Sequence, residues 1–136
     1  MDTAENKDSI FPKGQKAPAD YFTGEAWIQL LLASDAVLHC QIGNVTFEAG
    51  ARNNWHTHPG GQILIVTSGK GYYQEKGKPI QLIRAGETIA IPPAVVHWHG
   101  AAADSGMTHI AINPNTQTGV VEWLGRVTDE EYRSFK

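Results

Sequence analysis

Trp55-His56-Thr57-His58-Pro59-Gly60-Gly61-Gln62-Ile63-Leu64-Ile65-Val66-Thr67 is the stretch on which the reading of this chain turns. Strand side chains alternate between faces, so His56 and His58 point one way while Trp55 and Thr57 point the other. Pro59-Gly60-Gly61 then reverses the chain. Gln62 opens the next run, whose β-branched content favours a strand over a helix.

Outward from this hairpin the chain keeps the same character. Short β-rich runs are expected at Trp27 to Ala33, Ala36 to Ile42, Val45 to Ala49, Gln62 to Thr67, Tyr72 to Glu75, Ile80 to Arg84, Thr88 to Ile91, Val95 to His99 and Met107 to Ile112. Their spacing is that of a sandwich or barrel. Turn residues separate them: Gly43-Asn44, Ala49-Gly50, Pro59-Gly60-Gly61, Ser68 to Gly71, Lys76 to Pro79, Ala85-Gly86 and Pro92-Pro93. One helix signal stands at the end, where Thr128 and Glu131 form a capping box for a short helix through Phe135. The expectation is an all-β, single-domain barrel over residues 21–136 with a short C-terminal helix. Residues 1–20 read as an N-terminal tail or edge segment.

The chain has 136 residues, enough for one core, and 14 Gly against 2 Met is a turn-rich, globular balance. The net charge is −3, and the 11 Lys and Arg are scattered without forming a run. That argues against a nucleic-acid partner. No apolar stretch is long enough to cross a bilayer and Met1 to Ser9 lacks an apolar h-region, so no membrane role and a cytoplasmic location are expected. Cys40 is the only cysteine, read as a small buried strand residue.

Five of six histidines fall after residue 55, four of them as the pairs His56/His58 and His97/His99. Two imidazoles on one strand face can share a metal ion at about 2.0–2.1 Å each without bending the strand. A lone strand histidine is usually a hydrogen-bonded or surface residue, and His39 is read so. His56, His58, Gln62 and His97 together are read as ligands of one divalent metal ion, because several inward imidazoles are otherwise costly to bury. His99 is left open between a supporting hydrogen bonder, a pocket residue and a surface residue. Three imidazoles and an amide leave the ion's charge uncompensated, which favours Lewis-acid chemistry over high-valent iron. The donor set itself does not choose among manganese, iron, nickel and zinc. Trp55 and Trp98 are expected on the outer face or at an interface.

These residues resemble the cupin superfamily. Gly50, His56, His58, Gln62 and Gly69 match its first motif, with Gln62 in the usual Glu place. Gly86, Pro92 and His97 match the second more loosely, with Ala94 and Ala101 in the places of Gly and Asn. Along most of the chain the sequence is similar to the small bacterial manganese-dependent cupin hydroxynitrile lyases and carboxymuconolactone-decarboxylase-like cupins. The strings carrying this are Pro18 to Gly24, Trp55 to Pro59, Gly61-Gln62, Leu64 to Thr67, His97 to Ala102, Met107 to His109 and Val127 to Glu130. The resemblance implies a jelly-roll β-barrel, favours manganese and matches His109 to a general acid/base. Asn113 stands where such lyases have Gln, and Gly43 and Val45 match small pocket positions. Independently, His109, Ala111 and Asn113 share one strand face by alternation, and a histidine is an apt base near neutral pH.

The leading expectation is a metal-dependent lyase acting on a small hydroxylated or carboxylated molecule, by cyanohydrin cleavage or decarboxylation. The metal would act as Lewis acid, His109 as acid/base, and Asn113 would orient the leaving group. The alternatives are a small-ligand-binding or sensing cupin without turnover and a metal-dependent dioxygenase. Trp27 to Leu32 with Trp123 is a candidate contact surface for a homodimer or higher homo-oligomer.

Overall fold

The computed structural model describes residues 10–135. Its strands are β1 (Gln15–Lys16), β2 (Phe22–Thr23), β3 (Ala26–Leu32), β4 (Gln41–Phe47), β5 (Arg52–Asn53), β6 (His56–Thr57), β7 (Gln62–Glu75), β8 (Gln81–Arg84), β9 (Thr88–Ile91), β10 (His97–Ala101), β11 (Met107–Asn113) and β12 (Glu122–Trp123). One helix, α1 (Asp129–Tyr132), follows. The strands form one curled antiparallel sheet in the order β1-β3-β4-β11-β7-β10-β5-β2, with β8 and β9 on β7, and β6 bridging β10 to β12. This is a cupin-type β-barrel with a short C-terminal helix.

Strand β7 is the hinge between the two halves. Residues 63–69 pair with β11, and residues 71–75 pair with β10. Gly69 at the bend has φ +76°, and a Cβ there would overlap the Gly106 carbonyl. Only glycine allows both the positive φ and that backbone approach. Ser68 to Gly71 is therefore a bend within one continuous strand, not the turn expected from its glycines.

Two other boundaries differ from the sequence reading. Gly43-Asn44 sits in mid-β4, where Gly43 pairs with Leu30 on one side and Ala111 on the other. The reversal lies earlier, at residues 36–38, where the Asp35 carboxylate accepts from the backbone N–H groups of Val37 and Leu38. Cys40 lies just before β4 and is half-buried.

Inside the curl, Phe47, Leu64, Val66, Ile83, Ala101 and Met107 are almost fully buried. On the outer face of the second half a smaller cluster gathers Trp55, Tyr72, Trp98, Val127 and Tyr132. Both tryptophans thus lie outside the barrel interior, covered by the C-terminal segment. Thr128 caps α1 through the expected reciprocal bonds with Glu131. The helix ends at Tyr132, and Phe135 stacks on Tyr72 with ring centroids 4.8 Å apart. The buried Arg52 guanidinium bonds the Val127 carbonyl at 3.0 Å and Asp129 at 2.8 Å, fastening this segment to the sheet.

At the N-terminal side, β1 pairs with residues 27–28 of β3 at the edge of the sheet. Residues 1–9, the rest of the expected tail, and Lys136 lie outside the described residues. Among the described residues no helix is long and apolar enough to cross a membrane.

Candidate metal centre and cavity

A cavity of about 250 Å³ opens between the two halves of the sheet. Alternation along β4 and β11 turns Gln41, Gly43, Val45, His109, Ala111 and Asn113 towards it. These residues face one another in register: Asn113 against Gln41, Ala111 against Gly43, His109 against Val45. The other half of the sheet contributes Asn53, His56, His58, His99 and Trp123. Behind them packs Phe47, its ring centroid 5.4 Å from that of His109 and 6.3 Å from that of His99.

His56 and His58 stand just before the Pro59-Gly60-Gly61 turn, and Gln62 follows as the first residue of β7. A Cβ at Gly60 would overlap the carbonyls of Pro114 and Asn115, so glycine is what lets this turn pack against the residues just after β11. His97 opens β10 and pairs with His56 across the strands, their ring centroids 4.3 Å apart. The ring of His58 lies 4.9 Å from that of His56 and 5.5 Å from that of His97. His56, His58, Gln62 and His97 are all buried.

The wiring of the three rings is uniform. Nδ1 of His56 donates to the Asn54 carbonyl at 2.7 Å, Nδ1 of His58 to the Val120 carbonyl at 2.7 Å, and Nδ1 of His97 to the Val95 carbonyl at 2.9 Å. A carbonyl can only accept, so each Nδ1 carries the proton and each Nε2 is a bare lone pair. His58 Nε2 is buried without a hydrogen-bond partner. His97 Nε2 faces Gln62 Oε1 at 3.3 Å. Protonating His97 would relieve that opposition, but burial pushes its pKa down to about 4. Burial, then the neighbouring His97 and His58, holds His56 well below its usual range. His58 is lowered by burial, partly offset by the Val120 carbonyl and the Gln62 amide beside it. Acceptors brought together in a dry place without a donor among them are a cation site. The residues therefore fit a divalent metal ion.

His99 is wired differently. Its backbone N–H donates to Asn53 Oδ1 at 2.9 Å, Asn53 Nδ2 lies 3.3 Å from its Nδ1, and His109 Nε2 lies 3.0 Å from that same Nδ1. Ligand-capable atoms of His56, His97 and His99 lie within 4.8 Å of one another, a grouping that takes in His99 and leaves out His58. Hydrogen bonding separates them, since His58 Nε2 has no partner, whereas Asn53 Nδ2 lies 3.4 Å from His99 Nε2 as well as 3.3 Å from its Nδ1. His109 is fully buried, its Nδ1 has no partner, and burial pushes its pKa down to about 4. It is a neutral imidazole in contact with both Phe47 and His99.

Every residue expected at the site from the sequence is brought to this one region. Four contributors were not anticipated. Gln41 shares the face of Gly43 and Val45, so alternation along β4 could have found it. Asn53 holds His99, and the Val120 carbonyl orients His58. Trp123, read as a contact-surface residue, instead lines the cavity. Strand β12 pairs with β6 so that Trp123 faces His56, and its ring stacks on Tyr21 with centroids 4.6 Å apart. No local signal announces a two-residue strand whose residue Trp123 pairs with His56, 67 positions away.

A family model described as the cupin domain matches residues 43–113. The chain is 45% identical to an (R)-mandelonitrile lyase of Granulicella tundricola over 118 residues, 87% of this chain and 90% of that protein. The crystal structure of a cupin-like protein of Thermotoga maritima is similar at a TM-score of 0.92 and 51% identity, covering 95% of this chain and 98% of its own. A DMSP lyase of Ruegeria pomeroyi shares the fold at a TM-score of 0.63 and 16% identity, covering 84% of this chain and 58% of its own.

Proposed function

The chain belongs to the cupin family, and on that premise we propose that it is a metal-dependent lyase that cleaves small cyanohydrins to a carbonyl compound and hydrogen cyanide. The observation that carries this reading is the cluster of three buried imidazoles, His56, His58 and His97, each bonded through Nδ1 to a backbone carbonyl, with the Gln62 oxygen facing His97 and a buried His109 nearby. The mandelonitrile lyase relative supports the choice of reaction.

His56, His58, Gln62 and His97 would hold the ion, with manganese favoured by the family resemblance. When bound, a divalent ion supplies Lewis acidity that stabilises negative charge on a substrate oxygen. His109, neutral near pH 7 because burial lowers its pKa, takes the hydroxyl proton of the cyanohydrin. The bond from the carbinol carbon to the nitrile carbon then breaks, its electron pair leaving with cyanide as the carbonyl forms. His109 returns the proton to cyanide, so hydrogen cyanide departs and the ring is again neutral. His99, bonded to His109, holds that ring in place. Phe22, Ile28, Val45, Ala111 and Trp123 give the substrate's organic group an apolar wall.

Metal analysis of protein purified without added metal or a histidine tag, followed by mandelonitrile cleavage after manganese loading, tests the reading. The expected result is about one divalent ion per chain and benzaldehyde release that depends on it. Protein that arrives metal-free and refuses manganese, iron, nickel and zinc overturns the metal-dependent reading. A loaded protein that leaves cyanohydrins intact overturns the reaction.

A further inference from the structure

Three side-chain amides form a ladder along the cavity: Gln41 on β4, Asn113 on β11 and Gln62 at the start of β7. Asn113 Nδ2 donates to Gln41 Oε1 at 3.1 Å, and Gln62 Nε2 donates to Asn113 Oδ1 at 2.9 Å. Each rung spends a nitrogen on one side and an oxygen on the other, so the orientation of one amide dictates that of the next. With its nitrogen tied to Asn113, Gln62 presents Oε1 to His97 Nε2 and thus to the cluster of lone pairs.

A terminal amide turned by half a revolution keeps nearly the same shape, so packing alone does not choose which atom Gln62 offers. The choice matters, because the oxygen can ligate a cation and the NH₂ group cannot. Without a cation the bare His97 Nε2 would favour the NH₂. The ladder acts against that preference and holds the oxygen inward.

We propose that Asn113, backed by Gln41, is a positioning residue that holds the Gln62 amide oxygen-first towards the metal ion. The inference rests on the reading of Gln62 as a ligand given above. It explains why Asn113, read from the family resemblance as orienting a leaving group, has both ends of its amide engaged with protein.

The test is manganese affinity, read from the free Mn(II) electron paramagnetic resonance signal, in the full-length protein. Asn113→Leu removes the acceptor facing Gln62 Nε2 and is expected to weaken manganese binding about 10- to 100-fold. Gln41→Leu frees Asn113 to turn over and is expected to cost less, roughly 3- to 10-fold, at the low end of such supporting contacts. Asn113→Asp keeps an acceptor towards Gln62 and is expected to bind at least as tightly as the native chain, which also guards against misfolding of the Leu variant. The discriminating step repeats Asn113→Leu in a Gln62→Glu background, where two equivalent oxygens leave nothing to orient, and the loss is expected to vanish. An equal loss in both backgrounds, or an Asp variant as weak as the Leu variant, overturns the inference while leaving the metal site standing. A native chain that binds no manganese overturns the ligand reading itself, and the inference with it.

Discussion

The two His-x-His pairs, His56/His58 and His97/His99, are alike in sequence and unlike in what surrounds them. In the first pair both rings give Nδ1–H to a backbone carbonyl and keep Nε2 unprotonated. In the second pair His97 follows that rule, while His99 is engaged by Asn53 and His109. Spacing of two residues ensures only that two imidazoles share a face. The ring nitrogen a carbonyl claims decides whether an imidazole can act as a ligand.

The sharpest way to break this comparison is to remove one ring from each kind of environment. His56→Ala and His97→Ala are expected to lose manganese by at least about 100-fold, more than supporting contacts cost. His99→Ala is expected to retain it within a few fold, both read by metal titration. If His99→Ala empties the protein as completely as His97→Ala, the two pairs are equivalent and the ligand trio is His56, His97 and His99.

His109 is expected to show the opposite separation. His109→Ala should keep its metal while mandelonitrile turnover falls about 10²- to 10⁴-fold, as expected for loss of a general acid/base. Equal turnover in the variant would remove the acid/base role.

Acid sharpens the comparison from a different side. Burial lowers His97 and His109 from an ordinary value of 6.5 to about 4, so between those values the unfolded chain binds protons that the folded one refuses. Stability of the metal-free protein is therefore full above pH 6.5 and falls as the pH drops towards 4. His109 alone accounts for about 3 kcal/mol of that loss. Urea midpoints at pH 7, 5.5 and 4.5 measure it, and a flat series would mean that the rings are not buried as described. Manganese is expected to shift the loss to lower pH, because ligation competes with protonation of His97 but not with that of His109.

The smallest expected effect is that of Asn53→Ala, which strips the side chain holding the His99 backbone N–H and ring. It is expected to destabilise the fold by roughly 1–3 kcal/mol, the cost of leaving buried polar groups unpaired, while metal content is unchanged. Loss of metal in this variant would mean that His99 belongs to the ligand set after all.

Much of the site was legible because its signals are local. Alternation placed His56 with His58 and His109 with Asn113, and the Pro59-Gly60-Gly61 turn delivered Gln62 beside them. The capping box at Thr128 was legible for the same reason, both partners lying within one turn of chain. Gly43 and Ser68 to Gly71 misled, because glycine in a strand that admits close backbone approach looks, in sequence, the same as glycine in a reversal. At Gly69 the deciding neighbour is Gly106, and at Gly71 it is the carbonyl of Gly100. Neither contact has a local signature.

By itself, then, the sequence determined an all-β architecture, a histidine-bearing strand followed by a turn and a second histidine strand, since periods and turns are properties of neighbouring residues. Only the tertiary structure decided which histidines are free to ligate, which amide atom faces them and which tryptophan walls the cavity. Those depend on carbonyls and side chains contributed from far along the chain, Val120 to His58, Asn113 to Gln62 and Trp123 to His56, and a hydrogen bond is made by proximity in space, not in sequence.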